Sequence, residues 1–76
     1  MYFKRIGDLR TDNDKTQQEI AEMLICHRQV YANYERGIRE IPVSMLIKLA
    51  RYYGVSTDYL LGLSDDPRPY EHRPAR

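Results

Sequence analysis

Apolar positions recur at helical intervals along most of the chain, and each run is bounded by residues that start or stop helices. Phe3, Ile6 and Leu9 form the first stripe, which "TDND" breaks with a cluster of turn-favouring residues. Thr16 opens "TQQEIAEML". With Glu19 three residues on it makes a capping box, in which each side chain satisfies a backbone N–H that the helix leaves unpaired. Ile20, Ala21 and Leu24 give this second helix a buried face, and the small Ala21 lets another helix approach. Only "ICH" separates it from a third helix ending at Gly37, a residue suited to the left-handed position after a helix. Pro42 fits the first turn of a fourth helix, where its missing N–H costs nothing. Leu46, Leu49, Ala50 and Tyr53 mark the apolar side of that helix, and Gly54 stops it. Ser56 caps a fifth, "TDYLL", with Asp58 in its first turn and Gly62 at its end. No stretch alternates with a period of two. The pattern predicts an all-α fold, a compact bundle of five short helices on one core.

The third helix divides unevenly. Arg28, Gln29, Ala32, Asn33 and Arg36 fall along one stripe, while Val30, Tyr31 and Tyr34 gather on another. The tyrosine side reads as core. The other side carries long donors and acceptors with no acidic residue inside the stripe to pair with them. Taken alone, such a stripe is an ordinary solvated face.

Length and charge narrow the reading further. Seventy-six residues make one small domain, near the size at which a single core is only marginally sufficient. A lone cysteine, Cys26, allows neither an intramolecular disulfide nor a zinc framework and fits a reducing compartment. No apolar run approaches a membrane span, and the N-terminal "MYFKRIGDLR" lacks the apolar stretch of a secretory signal, so a cytoplasmic protein with no membrane partner is expected. The net charge is only +1, but it is unevenly spread. Arg28, Arg36 and Arg39 face Glu35 alone, while acids collect at Asp12, Asp14, Glu19 and Glu22. A local basic patch of this kind can bind phosphate with a modest non-specific pull. Cys26 beside His27 is no nucleophile and base, because neighbours in a tight turn seldom aim at each other and no third group orients them. With no carboxylate pair, phosphate-cradling loop or metal-ligand cluster in the sequence, neither an enzyme nor a bound metal, cofactor or small-molecule effector is expected. Beyond Leu63 the composition changes to "SDDPRPYEHRPAR", whose three prolines exclude a regular helix. Residues 1–63 therefore read as the domain and 64–76 as a tail. The tail is either solvated or an arm that packs Tyr70 and its prolines on a partner subunit.

Two helices joined by a very short turn, the second with a polar outward stripe, have the layout of a helix-turn-helix. From Ile6 to Leu63 the chain resembles the Cro/C1-type helix-turn-helix domain of phage repressors and bacterial xenobiotic-response-element-like regulators. The resemblance lies in "RIGDLR", "TQQEIAEML", "VYANYERGIREIP" and "LIKLARYYGVSTDYLLG", in the family's order and spacing. It departs from the family at three places. Ile25 stands in the turn where many members have glycine, and His27 where serine or threonine is common. Lys15 replaces an apolar residue, which loosens the first inter-helix loop. A β-branched residue is costly at positive φ, so Ile25 predicts a second helix prolonged by part of a turn.

The resemblance implies a sequence-specific, double-stranded-DNA-binding transcriptional regulator, a repressor before an activator, acting as a homodimer on an inverted repeat. Its third helix, about residues 28–35, would lie in the major groove. Arg28, Gln29 and Asn33 match the family's base readers, with His27 and Ala32 beside them. Gln17, at a helix N-terminus, matches a phosphate contact, and His27, Arg36 and Arg39 are candidates for the sugar-phosphate backbone. Arginine can pair with guanine O6 and N7, and glutamine or asparagine with adenine N6 and N7; Ala32 would leave room for a thymine methyl. Tyr59 and Leu63 are candidates for the dimer contact. The rival reading is a protein-interaction module, such as an antitoxin or anti-regulator, on the same fold. RNA binding is a minor third, since neither an aromatic platform nor a dense basic surface is evident.

Overall fold

A computed structural model describes residues 2–69, and Tyr70 with the rest of the tail lies outside the described residues. Five helices follow in order: α1 Lys4–Asp12, α2 Gln17–Leu24, α3 Arg28–Glu35, α4 Val43–Tyr53 and α5 Thr57–Leu61. No strand occurs among the described residues. Helix α2 packs closely on α3, α4 lies on α5, and α1 touches both α3 and α5. Ile6, Ile20, Tyr31, Leu49 and Leu60, from all five helices, are the largest side chains wholly removed from solvent. Each contributes roughly 1.5–3 kcal/mol by leaving water. The tyrosine side of α3 is core, as its periodicity predicts.

Local signals are met closely. The Thr16 hydroxyl accepts from the Glu19 N–H at 3.0 Å, and the Glu19 carboxylate accepts from the Thr16 N–H at 3.0 Å, which completes the capping box. The Ser56 hydroxyl accepts from the Tyr59 N–H at 3.0 Å and so caps α5. Pro42 is a correction by one position. It sits before the first turn with extended ψ 148°, and its carbonyl accepts from Met45 and Leu46, so that α4 starts at Val43. Helix α1 runs two residues into "TDND". There the Thr11 hydroxyl and the Asn13 amide bond back to carbonyls of the preceding turn.

All five helices end in one pattern. A residue with positive φ follows the helix, at Asp14, Ile25, Gly37, Gly54 and Gly62. The next N–H then reaches back five residues to a carbonyl, as from Cys26 to Ala21 at 2.9 Å. This Schellman closure satisfies end carbonyls that the helix itself leaves open. Ile25 therefore contradicts the prolonged second helix: α2 stops at Leu24, and Ile25 takes φ 57°, ψ 51°. The closing bond needs a left-handed residue at this place, and the bend brings Cys26 against the core while Ile25 projects into solvent, 85% exposed.

The chain past Leu63 does not leave the body at once. Arg5 lies 4.1 Å over the Tyr59 ring and donates to the carbonyls of Tyr59 and Ser64, at 2.9 and 2.6 Å, and to Asp65 at 2.8 Å. Further on, the Pro67 carbonyl accepts from the Ser56 N–H at 3.0 Å. The part of the tail up to Pro67 is thus fastened to α1 and to the start of α5.

Candidate nucleic-acid interface

The three-residue turn Ile25–His27 fixes where α3 begins. His27 precedes the first turn in extended conformation and makes no side-chain cap bond, as expected for a residue with a poorer cap than serine. Arg28 and Gln29 in the first turn are exposed, as are His27 before it and Arg36 and Arg39 after the helix. Asn33 is half-buried on the same stripe. Gln29 Nε2 donates to Asn33 Oδ1 at 3.2 Å, so these two amides, one turn apart, form a single ordered polar patch. The Arg39 N–H bonds to the Asn33 carbonyl at 3.2 Å, which holds the loop after α3 against the end of the helix.

Ala32 is not where the helical wheel puts it. It is only 2% exposed, so its methyl is not on offer at the surface. An alanine methyl lies close to the helix barrel, so it is shielded more readily than the longer side chains that share its stripe. The outward stripe is therefore Arg28, Gln29, Asn33 and Arg36, with no open gap at its middle.

The far end of α3 is bolted to α1. Arg10 donates Nε to one Glu35 oxygen at 2.8 Å and Nη2 to the other at 2.9 Å, a two-pronged pair whose side chains are only 16% and 13% exposed. Arg10 Nη1 also donates to the Lys15 carbonyl at 2.9 Å, which ties down the loop before α2 despite its departure at Lys15. Burial works to raise the Glu35 pKa, but the bonds from Arg10 outweigh it and hold the carboxylate below its ordinary range. The Tyr31 hydroxyl is buried beside Glu35 and that of Tyr53 is buried with no hydrogen-bond partner among the described residues, and burial pushes both far above the ordinary phenol range. Gln17, first residue of α2, turns its amide toward the same carboxylate, with Nε2 3.4 Å from Glu35 Oε1. It is half-buried, not a free surface group.

Sequence periodicity missed Arg10 and Glu35 as positioning residues. One signal was present. Glu35 is the only acid on α3 and stands at the helix C-terminus, where a negative charge is unfavourable without a cation. Cys26 is half-buried, and burial pushes its thiol up, which makes it a small apolar filler without nucleophilic character. Tyr59 is half-buried beneath Arg5, whereas Leu63 is 75% exposed. Among the described residues no helix is long and apolar enough to cross a membrane, and no group of three or more His, Cys, Asp or Glu converges.

The sequence is similar to known proteins along most of its length. The family model for a helix-turn-helix matches residues 6–60. The chain belongs to the Cro/C1-type helix-turn-helix family. YobD of Bacillus subtilis, an uncharacterized HTH-type transcriptional regulator by name, is 40% identical over 73 residues, covering 96% of this chain and 65% of that protein. The HTH-type transcriptional regulator ImmR of the same organism is 44% identical over 59 residues, or 78% of this chain and 46% of ImmR. The cryptic phage CTXphi transcriptional repressor RstR of Vibrio cholerae is 32% identical over 65 residues, or 86% of this chain and 59% of RstR. The chain spans about half to two thirds of the length of these relatives. In this helix-turn-helix, α2 and α3 are the paired helices and Ile25–His27 is the turn between them.

Proposed function

We propose that the chain is a sequence-specific, double-stranded-DNA-binding transcriptional regulator, a repressor that places α3 in the major groove. It acts as a homodimer on an inverted repeat. Family membership and the relatives named as transcriptional regulators, one of them a phage repressor, support the general reading. The observation that carries the use of α3 is its outward stripe, where the exposed Gln29 and half-buried Asn33 are already hydrogen-bonded to each other and Arg28 is exposed at the front. Gln29 and Asn33 suit adenine and Arg28 suits guanine, each good bidentate pair being worth about 1–3 kcal/mol of discrimination. His27, Arg36 and Arg39 supply phosphate contacts, and Gln17 supplies one from the N-terminus of α2. Two subunits are needed because one short helix in one groove gives limited affinity. No enzymatic step and no small-molecule effector enter this reading.

The deciding experiment is selection of binding sites by the purified protein from random duplex DNA. An inverted repeat with half-site centres about one helical turn apart is the expected product. Gln29→Ala should then relax the preference at one base position of each half-site. A uniform loss across all sequences would instead place Gln29 on the backbone. If no sequence is enriched even at low salt, the fold serves a protein partner and the antitoxin-like reading takes precedence.

A further inference from the structure

The hydrogen bond inside the outward stripe of α3 gives its two amides unequal parts. Gln29 Nε2 donates to Asn33 Oδ1 at 3.2 Å. A primary amide has two N–H donors and one carbonyl oxygen. After this bond Gln29 keeps its Oε1 and its second N–H, the pair of groups that meets N6 and N7 of adenine. Asn33 keeps its N–H groups, but its oxygen already faces Gln29, and a bidentate contact with adenine needs both kinds. Placement agrees with this division. Gln29 is exposed in the first turn, where the residues of a recognition helix reach base edges. Asn33 is half-buried one turn further back, on a side chain shorter by a methylene. It is also firmly held, because its carbonyl accepts from the N–H groups of Ile38 at 2.9 Å and Arg39 at 3.2 Å.

We propose that Asn33 is a positioning residue, and that Gln29 alone of the two amides reads a base, an adenine at one position of each half-site. This role rests on the reading of α3 as the major-groove helix, and it reduces the amide-read positions from two to one. An unrestrained glutamine samples many rotamers, so fixing it on a base edge costs conformational entropy. Here the amide is ordered before DNA arrives, by a partner whose own backbone is pinned to the following loop. The hold also sharpens the choice of base. A loose amide can turn over, exchange its N–H and its oxygen, and so fit a base edge with the opposite order of donor and acceptor. One whose Nε2 is committed to Asn33 presents a single order, which is that of adenine.

The test is binding-site selection from random duplex DNA, made at one salt concentration on the full chain, Gln29→Ala, Asn33→Ala and the double variant. The native chain should prefer adenine at the Gln29 position by roughly tenfold or more. Gln29→Ala should abolish that preference, and Asn33→Ala should weaken it several-fold at the same position and nowhere else. The double variant should match Gln29→Ala. Asn33→Asp, whose carboxylate still accepts from Gln29 Nε2, should restore the preference, although its charge weakens binding to every sequence. A loss at a separate position in Asn33→Ala overturns the proposal, because Asn33 then reads a base of its own. An unchanged preference in Asn33→Ala overturns it as well, and a shared position that favours another base overturns the assignment to adenine. If the native chain enriches no sequence, the reading of α3 itself fails and this role falls with it, so the two failures are told apart. A second measurement needs no DNA. Side-chain amide relaxation, followed by NMR in the free protein, should show the Gln29 amide ordered in the native chain and mobile in Asn33→Ala. Equal mobility in both overturns the proposal.

Discussion

The two ends of α3 are built on opposite plans. At its front, the turn Ile25–His27 offers an exposed isoleucine in left-handed conformation, no side-chain cap and no acidic residue in the first turn. At its back, Glu35 is gripped by both prongs of Arg10, and Gly37 lies directly against Tyr2. Two of the candidate base readers, Arg28 and Gln29, belong to the open end, while Asn33 lies in the last turn beside the fastenings. Orientation of a short helix can thus be fixed from behind, by an ion pair and a close backbone approach. The outward face of the front is then left exposed at His27, Arg28 and Gln29.

The strongest way to break this division is to release the back. Glu35→Ala leaves the Arg10 guanidinium largely buried with its carboxylate gone, and removing one partner of such a pair costs about 2–4 kcal/mol, somewhat less than for a fully buried one. Urea denaturation should show a midpoint shift of that size. A pH dependence follows from the same bond. The folded-state pKa of Glu35 is held below its ordinary value of 4.5, so its stabilisation is fully present above that value. It fades as pH falls through the lower, folded-state pKa. The Glu35→Gln variant should lose this acid-side slope, and an unchanged slope would mean that another carboxylate carries it.

Gly37→Ala attacks the same end through the backbone. Gly37 has φ 77°, and an added Cβ would stand 2.9 Å from the Tyr2 Cα. The strain of a left-handed alanine adds to a collision with backbone that cannot rotate away, at about 2–3 kcal/mol together. Gly54 separates the two contributions, since it has φ 68° with nothing near its missing Cβ. Gly54→Ala should cost only about 1 kcal/mol. Similar losses at the two glycines would show that the approach of Tyr2 is unimportant.

Much of this was legible in the chain. The five helices, the Thr16–Glu19 box, the Ser56 cap and the core tyrosine of α3 rest on neighbours a few residues apart, which a sequence displays directly. The misreadings share another cause. Arg10 and Glu35 are twenty-five residues apart and meet only through the packing of α1 on α3. Ala32 shared its stripe with exposed residues, yet burial depends on how far a side chain reaches past its neighbours as well as on its angle. At Ile25 the local propensity was read correctly and then overridden, because the tertiary path of the chain required the bend that isoleucine disfavours.

Ile25 yields the smallest effect and the sharpest one. Its side chain is 85% exposed, so replacement removes almost no packing and tests the backbone alone. Ile25→Gly relieves a left-handed β-branched residue, worth about 1–2 kcal/mol, but adds unfolded-state freedom that takes back roughly 0.5–1 kcal/mol. A net gain of about 0.5–1 kcal/mol is therefore expected in urea, with DNA-site selection unchanged. If stability rises and the selected sequence stays the same, the front of α3 is held by its own closing bonds, and the isoleucine is a tolerated cost. If stability rises but the site preference blurs, the stiffness of Ile25 is itself part of how Arg28 and Gln29 are aimed. The open end would then be governed from the turn before it as well as from the bolt behind.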